Sequence, residues 1–366
     1  MKVLMISRAT LYSSVGGDTI QILNTAKYLR HLNIEVDILT TDVKINYDEY
    51  DLIHFFNIIR PADILPHIEL SGKPFVVSTI YVDYSEYEKQ NRKGLPGFAF
   101  RFLSLDQIEY VKALARRFVN GERIRSRNYL LRGHRKSIQY IARRSSLLLP
   151  NSENEYRRFR ENYAVSPPYA VIPNAIDTKL FDLRSTPDPE FTGHVLSVAR
   201  VEGRKNQLNV VKAVADTRLR LDVIGNYSPN HRKYYDACRT EGDRAEGRIR
   251  FFPHVDQEKL VRIYQAARVH VLASWFETTG LTTLEAALLG CNIVITNKGD
   301  TVEYFRDFCY YCDPADVLSI RTAIEKAHRD PFPEALRKHI LNHYTWEIAA
   351  RKTLKAYKSA LDENSA

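Results

Sequence analysis

SWFETTGLTTLEAALLGCNIVIT, Ser274–Thr296, decides the fold. With the residues just before it, it breaks into pieces of different period. VHVLAS (269–274) is a short continuous apolar run, the pattern of a strand buried on both faces. WFETTG (275–280) is its exit loop. LTTLEAALLG (281–290) places Leu281, Leu284 and Leu288 at helical spacing, and Gly290 is the residue expected just past a helix end. CNIVITN (291–297) is again a buried strand. Strand, loop, helix and strand in that order are the repeating unit of a parallel α/β sheet.

An apolar stretch of this kind carries two glutamates, Glu277 in the loop and Glu285 on the second turn of the helix. A carboxylate with Leu281 four residues before it and Leu289 four after it is costly unless it has a partner. Between the two acids, the amides of Gly280 to Thr283 open the helix. Their N–H groups and the positive end of the helix dipole favour an anion. Carboxylates repel phosphate but accept from hydroxyls, so the pattern suits a diphosphate with hydroxyls on either side, as in a nucleotide sugar. A plainer reading is one dipole-favoured acid and one satisfied core glutamate. A glycosidase pair fits poorly. Eight helical residues span about 12 Å, whereas hydrolase carboxylates stand about 5–9.5 Å apart.

The same alternation runs outward in both directions. KVLMISRATLYSSVGGD opens with a strand and reaches a turn at Gly16-Gly17, and TIQILNTAKYLRHLN follows with helical spacing. EVDILTTD, YDLIHFFN and KPFVVSTIY are strands between turn signals. VSPPYAVIPNAID (165–177), with its prolines, is the linker candidate. After it come GHVLSVARV, NQLNVVKAVADT, RLDVIGN and QEKLVRIYQAA, then the opening stretch, FCYYCD and a long amphipathic tail helix. The expected fold class is α/β, with two doubly wound Rossmann-like domains facing across a cleft. The first is 1–167 with 346–366 returning to it, and the second is 168–345. Ligands of such sheets bind at the carboxyl ends of the strands.

The 366 residues suffice for two such cores. Nothing reaches the length of a membrane span, and MKVLMISRA reads as a first strand rather than a signal peptide, so a cytoplasmic protein is expected. Four cysteines do not make a disulfide framework. Cys309-Tyr-Tyr-Cys312 lacks the second pair a zinc site needs and reads as part of a strand. The net charge of +9 is concentrated: residues 92–160 hold 17 Lys and Arg against 5 Asp and Glu.

A diphosphate leaving group needs fixed positive charge. SVARVEGRKNQ places Arg200 at a strand end and Lys205 in the loop before a helix, where a solvated basic loop is the alternative. Gly16 and Gly17 allow backbone close to a phosphate, or simply a tight turn. There is no GxGxxG dinucleotide motif and no Asp-x-Asp metal clamp, so no cofactor and no metal are expected.

Together these motifs resemble glycosyltransferase family 4, retaining transferases of the GT-B fold. The family's Glu-x7-Glu pair corresponds to Glu277 and Glu285, and its Arg and Lys to Arg200 and Lys205. VIPNAID, LDVIGN and HVDQEKLVRIYQAARVHVLAS are similar to its signatures in the second domain, and VGGDTIQILNTAKYLRHLNIEVDILTT to its N-terminus. The resemblance implies that Glu285 binds ribose hydroxyls and Glu277 hydroxyls of the transferred sugar. It implies that Arg200 and Lys205 grip the diphosphate, lined by Gly16, Gly17, Gly280 and Leu281. It also implies transfer with retention and without a metal, from a donor of UDP or GDP type. The chain departs from the family in three places, the first being Ala175 in VIPNAID where glycine is usual. ETTG replaces the usual Glu-Gly-Phe-Gly, bringing Thr278 and Thr279 to the sugar pocket. After KPFVVST, IYVD stands where the family often has a histidine. Tyr81, Asp83 and His54 are the acceptor-side candidates, with a structural role the alternative for His54.

The basic segment 92–160 matches the family least. LDQIEYVKALARRFV within it is amphipathic, and more cations follow among Tyr, Leu and Ile. Its expected partner is an anionic membrane surface, with a glycan or lipid-linked acceptor of cell-surface polysaccharide or lipopolysaccharide assembly. The expected location is the inner face of that membrane. No nucleic-acid module is visible. The rival readings are a soluble transferase or sugar-phosphate synthase of the same fold, and a nucleotide- or sugar-binding protein without turnover.

Overall fold

The computed structural model describes residues 1–13, 16–91, 106–107, 110–111, 126–181 and 185–362. Along the chain these form β1 (Lys2–Ser7), α1 (Gly17–Arg30), β2 (Glu35–Thr40), β3 (Leu52–Phe56), α2 (Pro61–Ser71), β4 (Phe75–Ser78), α3 (Ser85–Asn91), α4 (Arg127–Arg144), β5 (Leu147–Leu149) and α5 (Glu153–Tyr163). Next come β6 (Val195–Val198), α6 (Gln207–Ala215), β7 (Leu221–Ile224), α7 (Arg232–Asp243), β8 (Ile249–Phe252), α8 (Gln257–Ala266), β9 (Val269–Leu272) and α9 (Leu281–Leu288). The chain finishes with β10 (Asn292–Thr296), α10 (Thr301–Phe305), β11 (Tyr310–Cys312), α11 (Val317–Arg329), α12 (Glu334–His343) and α13 (Trp346–Asp362).

Two compact units result. The first comprises Met1–Tyr81, Glu88–Asn174 and Trp346–Ala366, and the second Val82–Tyr87 and Ala175–Thr345. The first holds a five-stranded parallel sheet in the order β2-β1-β3-β4-β5. The second holds a six-stranded parallel sheet in the order β11-β10-β9-β6-β7-β8. Both are Rossmann-like α/β sheets. The central strands are buried along their whole length, as parallel strands covered on both faces must be: β3, β4, β6, β7, β9 and β10 expose no residue.

The boundary lies later than the sequence suggests. Residues 168–172 do not float as a linker but follow the edge strand β5. Leu148 N–H donates to Pro168 O, Ala170 N–H to Leu148 O and Ile172 N–H to Pro150 O. The division therefore falls at Asn174/Ala175 rather than at 167/168. The tail α13 packs on α1 within the first unit.

Local chemistry sets the helix ends. Ser152 accepts from Glu155 N–H at the start of α5, and Asp256 accepts from Lys259 N–H at the start of α8. Past α9, Gly290 has φ 101, a conformation that side chains resist, and Cys291 N–H returns to Ala286 O. Leu284 and Leu288 are buried on that helix, but Leu281, expected on the same stripe, is only half-buried at its first turn. Cys309 and Cys312 flank and end β11 as free thiols, both pushed up to about 12 chiefly by burial.

Of the basic segment, 92–105, 108–109 and 112–125 lie outside the described residues, and with them most of the amphipathic LDQIEYVKALARRFV. The described part includes α4, which buries Tyr129, Ile138 and Ile141 and turns Leu131 outward, 84% exposed. Among the described residues no helix is long and apolar enough to cross a membrane.

Candidate functional site

In the second unit, the loop after β9 carries Glu277 to the mouth of α9. Its backbone is pinned by the loop after β10: Glu277 N–H donates to Lys298 O at 3.1 Å, and Asp300 N–H donates to Glu277 O at 2.9 Å. Between these, Gly299 has φ 102, and a Cβ there would stand 2.0 Å from Glu277 O. Only glycine fits.

The turn that carries Lys205 is stitched to the same place. Trp275 N–H donates to Arg204 O at 3.0 Å. Asn206, left-handed at φ 61 and buried, donates from Nδ2 to Ala273 O and to Pro314 O at 2.9 and 2.8 Å. With both loops fixed, Lys205 Nζ lies 2.5 Å from Glu277 Oε1. Burial lowers the ammonium's pKa, but Glu277, Tyr84 and Glu202 together outweigh it, and the net shift is upward. The site is thus a charged, largely desolvated ion pair at the start of a helix.

At that start, Gly280 is the N-cap with φ 72, Thr279 is buried, and the amides of Leu281 and Thr282 open the helix with no acidic residue in the first turn. Two buried hydroxyls nearby in sequence, those of Ser274 and Thr283, have no hydrogen-bond partner. Buried hydroxyls are seldom left so, and a polyhydroxylated, anionic ligand would satisfy them.

Glu285 points its carboxyl toward Tyr264. Burial pushes it up to about 8, offset in part by the Tyr264 hydroxyl. Its ordinary value is near 4.5. Between those two values the folded state holds a proton the unfolded chain releases. Glu285 therefore favours folding at low pH, and its contribution fades as pH rises from about 4.5 to about 8. Glu285→Gln is expected to be little different from the parent near pH 5. It should then melt progressively higher than the parent toward pH 8, by a few degrees at about 2–4 °C per kcal/mol. A melting difference independent of pH would refute this.

Arg200 is not drawn into the pair. It is 61% exposed, and its guanidinium is 3.9 Å from Glu202. The sequence did not single out Arg204, which neighbours Lys205 and stacks on Tyr84 with its guanidinium carbon 4.5 Å from the ring centre.

In the first unit the predicted residues scatter. His54 is buried in β3 with both ring nitrogens engaged, Nδ1 to Tyr357 OH at 2.6 Å and Nε2 to Ser78 Oγ at 2.8 Å, and burial lowers it to about 3. It is a neutral core histidine, not an acceptor-facing group. Tyr81 is likewise packed inward, against Phe159 and Tyr163, with its hydroxyl accepting from Asn162 Nδ2 at 2.7 Å. Asp83 falls not in this unit but in the Val82–Tyr87 stretch of the second, where it accepts from Ser85 N–H at 2.9 Å at the start of α3. Gly16 is extended, a conformation any residue adopts, and its Cβ would meet Asp18 Oδ1 at 2.9 Å, while Gly17 has open space. Asp18 occupies the first turn of α1 and holds Arg8 at 2.7 Å, so an acid already sits where a phosphate was expected.

What the first unit does offer is a small cavity of mixed lining at the carboxyl ends of β1 and β3, where Arg8, Asp18, Asn57, Arg60 and Asp63 meet Ile6, Phe55, Phe56 and Ile64. Asn57, at φ 70, has a buried Oδ1 without a partner. No local pattern announces these residues, because two separate connections, β1–α1 and β3–α2, supply them.

Residues 182–345 match the family model of glycosyl transferases group 1. The whole chain shares its fold with GT-B glycosyltransferase structures. Sucrose-phosphate synthase from Thermosynechococcus elongatus superimposes with a TM-score of 0.72 at 16% identity, covering 99% of this chain and 100% of that one. Anabaena HepE in complex with UDP and glucose gives 0.71 at 15% identity, covering 98% and 100%. Among curated relatives, O-antigen chain mannosyltransferase B of Escherichia coli is 30% identical over 177 residues, 45% of this chain. The match spans about half of that relative, 46%. D-inositol 3-phosphate glycosyltransferase of Corynebacterium aurimucosum is 26% identical over 343 residues, 82% of this chain and 80% of that protein. The matched segment contains Lys205, Glu277, Glu285 and the α9 start.

Proposed function

We propose that this protein is a retaining glycosyltransferase that moves a sugar from a nucleotide-diphosphate sugar to a glycan or lipid-linked acceptor, without a metal. The observation that carries the reading is the Lys205–Glu277 pair held at the opening of α9. As the bond from the anomeric carbon to the diphosphate breaks, negative charge develops on the departing oxygen. Lys205 and the helix amides meet it with fixed positive charge that needs no reorganisation. Glu277 then exchanges its ammonium partner for sugar hydroxyls, and Glu285 accepts from the ribose. Glu285 is largely protonated in the empty site at neutral pH, so donor binding to its carboxylate form releases a proton and tightens as pH rises through about 8.

An acceptor in cell-surface polysaccharide assembly, reached at the inner face of a membrane, is supported by two observations. Relatives include the E. coli O-antigen enzyme and a Campylobacter jejuni transferase named for a diphospho-undecaprenol acceptor. On this chain, α4 presents exposed Leu131 beside Arg127, Arg132 and Arg135, which suits an anionic surface. A soluble transferase is the second reading, favoured by the inositol-phosphate relative.

The test is a thermal-shift panel with UDP, GDP, ADP, CMP and NAD at millimolar concentration. A ligand at 100 times its Kd adds about 2.7 kcal/mol. One nucleoside diphosphate is expected to raise the melting temperature and NAD to leave it unchanged. A shift with NAD alone, or with none of the five, would refute the reading. Flotation on vesicles containing phosphatidylglycerol separates the two acceptor classes: absence from the lipid fraction would remove the membrane assignment.

A further inference from the structure

Residues Val82–Tyr87 follow β4 in sequence yet belong to the second unit. Their contacts there fall on the loops that carry the Lys205–Glu277 pair. The Tyr84 ring receives the Arg204 guanidinium on its face, centre to carbon 4.5 Å, and meets the ring of Phe276 edge-on at 6.1 Å. Glu86 lies 3.3 Å from Lys298 Nζ, on the residue whose carbonyl takes the Glu277 N–H. The Tyr87 ring is 6.2 Å from that of Trp275. Gly203 makes room for it, since a Cβ there would stand 2.2 Å from the Tyr87 hydroxyl.

The contacts of Tyr84 and Glu86 are one step from a site residue: Arg204 precedes Lys205, Phe276 precedes Glu277, and Lys298 anchors the Glu277 backbone. A guanidinium on a loop has many rotamers, and ordering it on binding costs entropy. Stacked on an aromatic face it is already restrained, and its planar fork matches phosphate oxygens in pairs. Burial raises the Tyr84 hydroxyl, with Lys205 and Arg204 opposing and Glu277 assisting, so the ring stands within the field of the pair.

We propose that Tyr84 is a positioning residue of the sugar-diphosphate site: its ring holds Arg204 beside Lys205, so that two neighbouring cations meet the diphosphate. Arg204 is then a further diphosphate ligand, and the strap Tyr84–Tyr87 supplies this chain with an aromatic brace that family motifs do not mark. The proposal rests on the reading of the second unit as a nucleotide-sugar site.

The experiment is calorimetric titration of the full chain with UDP, GDP, UMP and GMP, for the parent, Tyr84→Phe, Tyr84→Ala, Arg204→Gln and the double variant Tyr84→Ala/Arg204→Gln. Tyr84→Phe keeps the ring and is expected within about 2-fold of the parent. Tyr84→Ala and Arg204→Gln are each expected to weaken the preferred diphosphate about 5- to 20-fold. The matching monophosphate should change less than about 2-fold, because the lost contact addresses the second phosphate. The double variant should lose no more than the larger single loss, since the two act as one unit. A general loosening of the loops would instead weaken both nucleotides alike. Equal losses for mono- and diphosphate, additive losses in the double variant, or a Tyr84→Phe loss as large as that of Tyr84→Ala would each overturn the proposal. So would unchanged binding by Tyr84→Ala, and tighter binding would mark the strap as an obstruction. If the parent binds none of the four nucleotides, the nucleotide-sugar reading itself falls. If the parent binds and the variants match it, only the role of Tyr84 does.

Discussion

Replacing Lys205 by methionine or Glu277 by leucine is expected to reduce kcat for sugar transfer by about 10²–10³-fold, the usual cost of removing one group that meets developing charge. Each single change also strands a partner. Lys205 and Glu277 are 21% and 8% exposed, so either charge left alone is largely desolvated. Breaking a buried pair from one side costs about 3–5 kcal/mol, and this partly solvated pair less. The double variant Lys205→Met/Glu277→Leu removes both charges and should regain most of the lost melting temperature while staying inactive. That separation is the informative result. If the double variant recovers turnover along with stability, the pair only holds two loops together, and the chemistry lies elsewhere. Initial rates with the donor found by thermal shift, set beside melting curves, decide between the two.

Gly299→Ala should be among the most damaging single changes in the second unit. At φ 102 an alanine is strained, and its Cβ would lie 2.0 Å from the Glu277 carbonyl oxygen, so backbone must move. The bridge between Glu277 and Gly299 then opens, and with it the hydrogen bonds from Glu277 to Lys298 and from Asp300 to Glu277. A loss of roughly 4 kcal/mol or more is expected, in the range reserved for such collisions. Gly247→Ala is the control. Its φ of 82 imposes similar strain, but nothing lies within 4 Å of the added methyl group. It should cost about 1–2 kcal/mol, strain alone. Nucleotide affinity should fall with Gly299→Ala and hold with Gly247→Ala. Chemical denaturation and titration of both variants test this, and equal destabilisation would show that the Glu277 loop tolerates displacement.

The second unit was readable because its site is local. The opening of α9, its closing glycine and the two glutamates all lie within one strand–loop–helix unit, where periodicity and capping rules act directly. Lys205 was readable as a cation at a loop, but its pairing with Glu277 depends on Asn206 and Trp275 stitching two distant loops. Arg200 had the same sequence credentials as Lys205, yet its side chain ended 61% exposed near Glu202 even though Gln207 Nε2 holds its carbonyl. The first unit was readable as a fold but not as a site. His54 lies on a strand buried on both faces, and only the distant Tyr357 and Ser78 reveal that its nitrogens are occupied. Tyr84 was hidden in YVDYSEY, a stretch without periodicity whose place is set wholly by tertiary contacts.

Glu155 illustrates a further kind of hidden determinant. It is fully buried in α5. Its carboxylate accepts from the Thr79 hydroxyl and from the backbone amides of Tyr81 and Asn151. An acid in RRFRENY's neighbourhood reads as surface charge. Here it closes the ends of β4 and β5, which neither strand's own pattern discloses.

The placement of α13 bears on how the chain is made. A ribosome delivers β1 to β5 first, yet the face of α1 that α13 covers, and the His54 nitrogen that Tyr357 satisfies across 303 positions, stay open until the whole second unit has been translated. The domain begun first is therefore finished last. During synthesis its sheet must therefore wait, partly covered, until α13 emerges, so the loops around Lys205 and Glu277 are on hand before the first unit reaches its final stability.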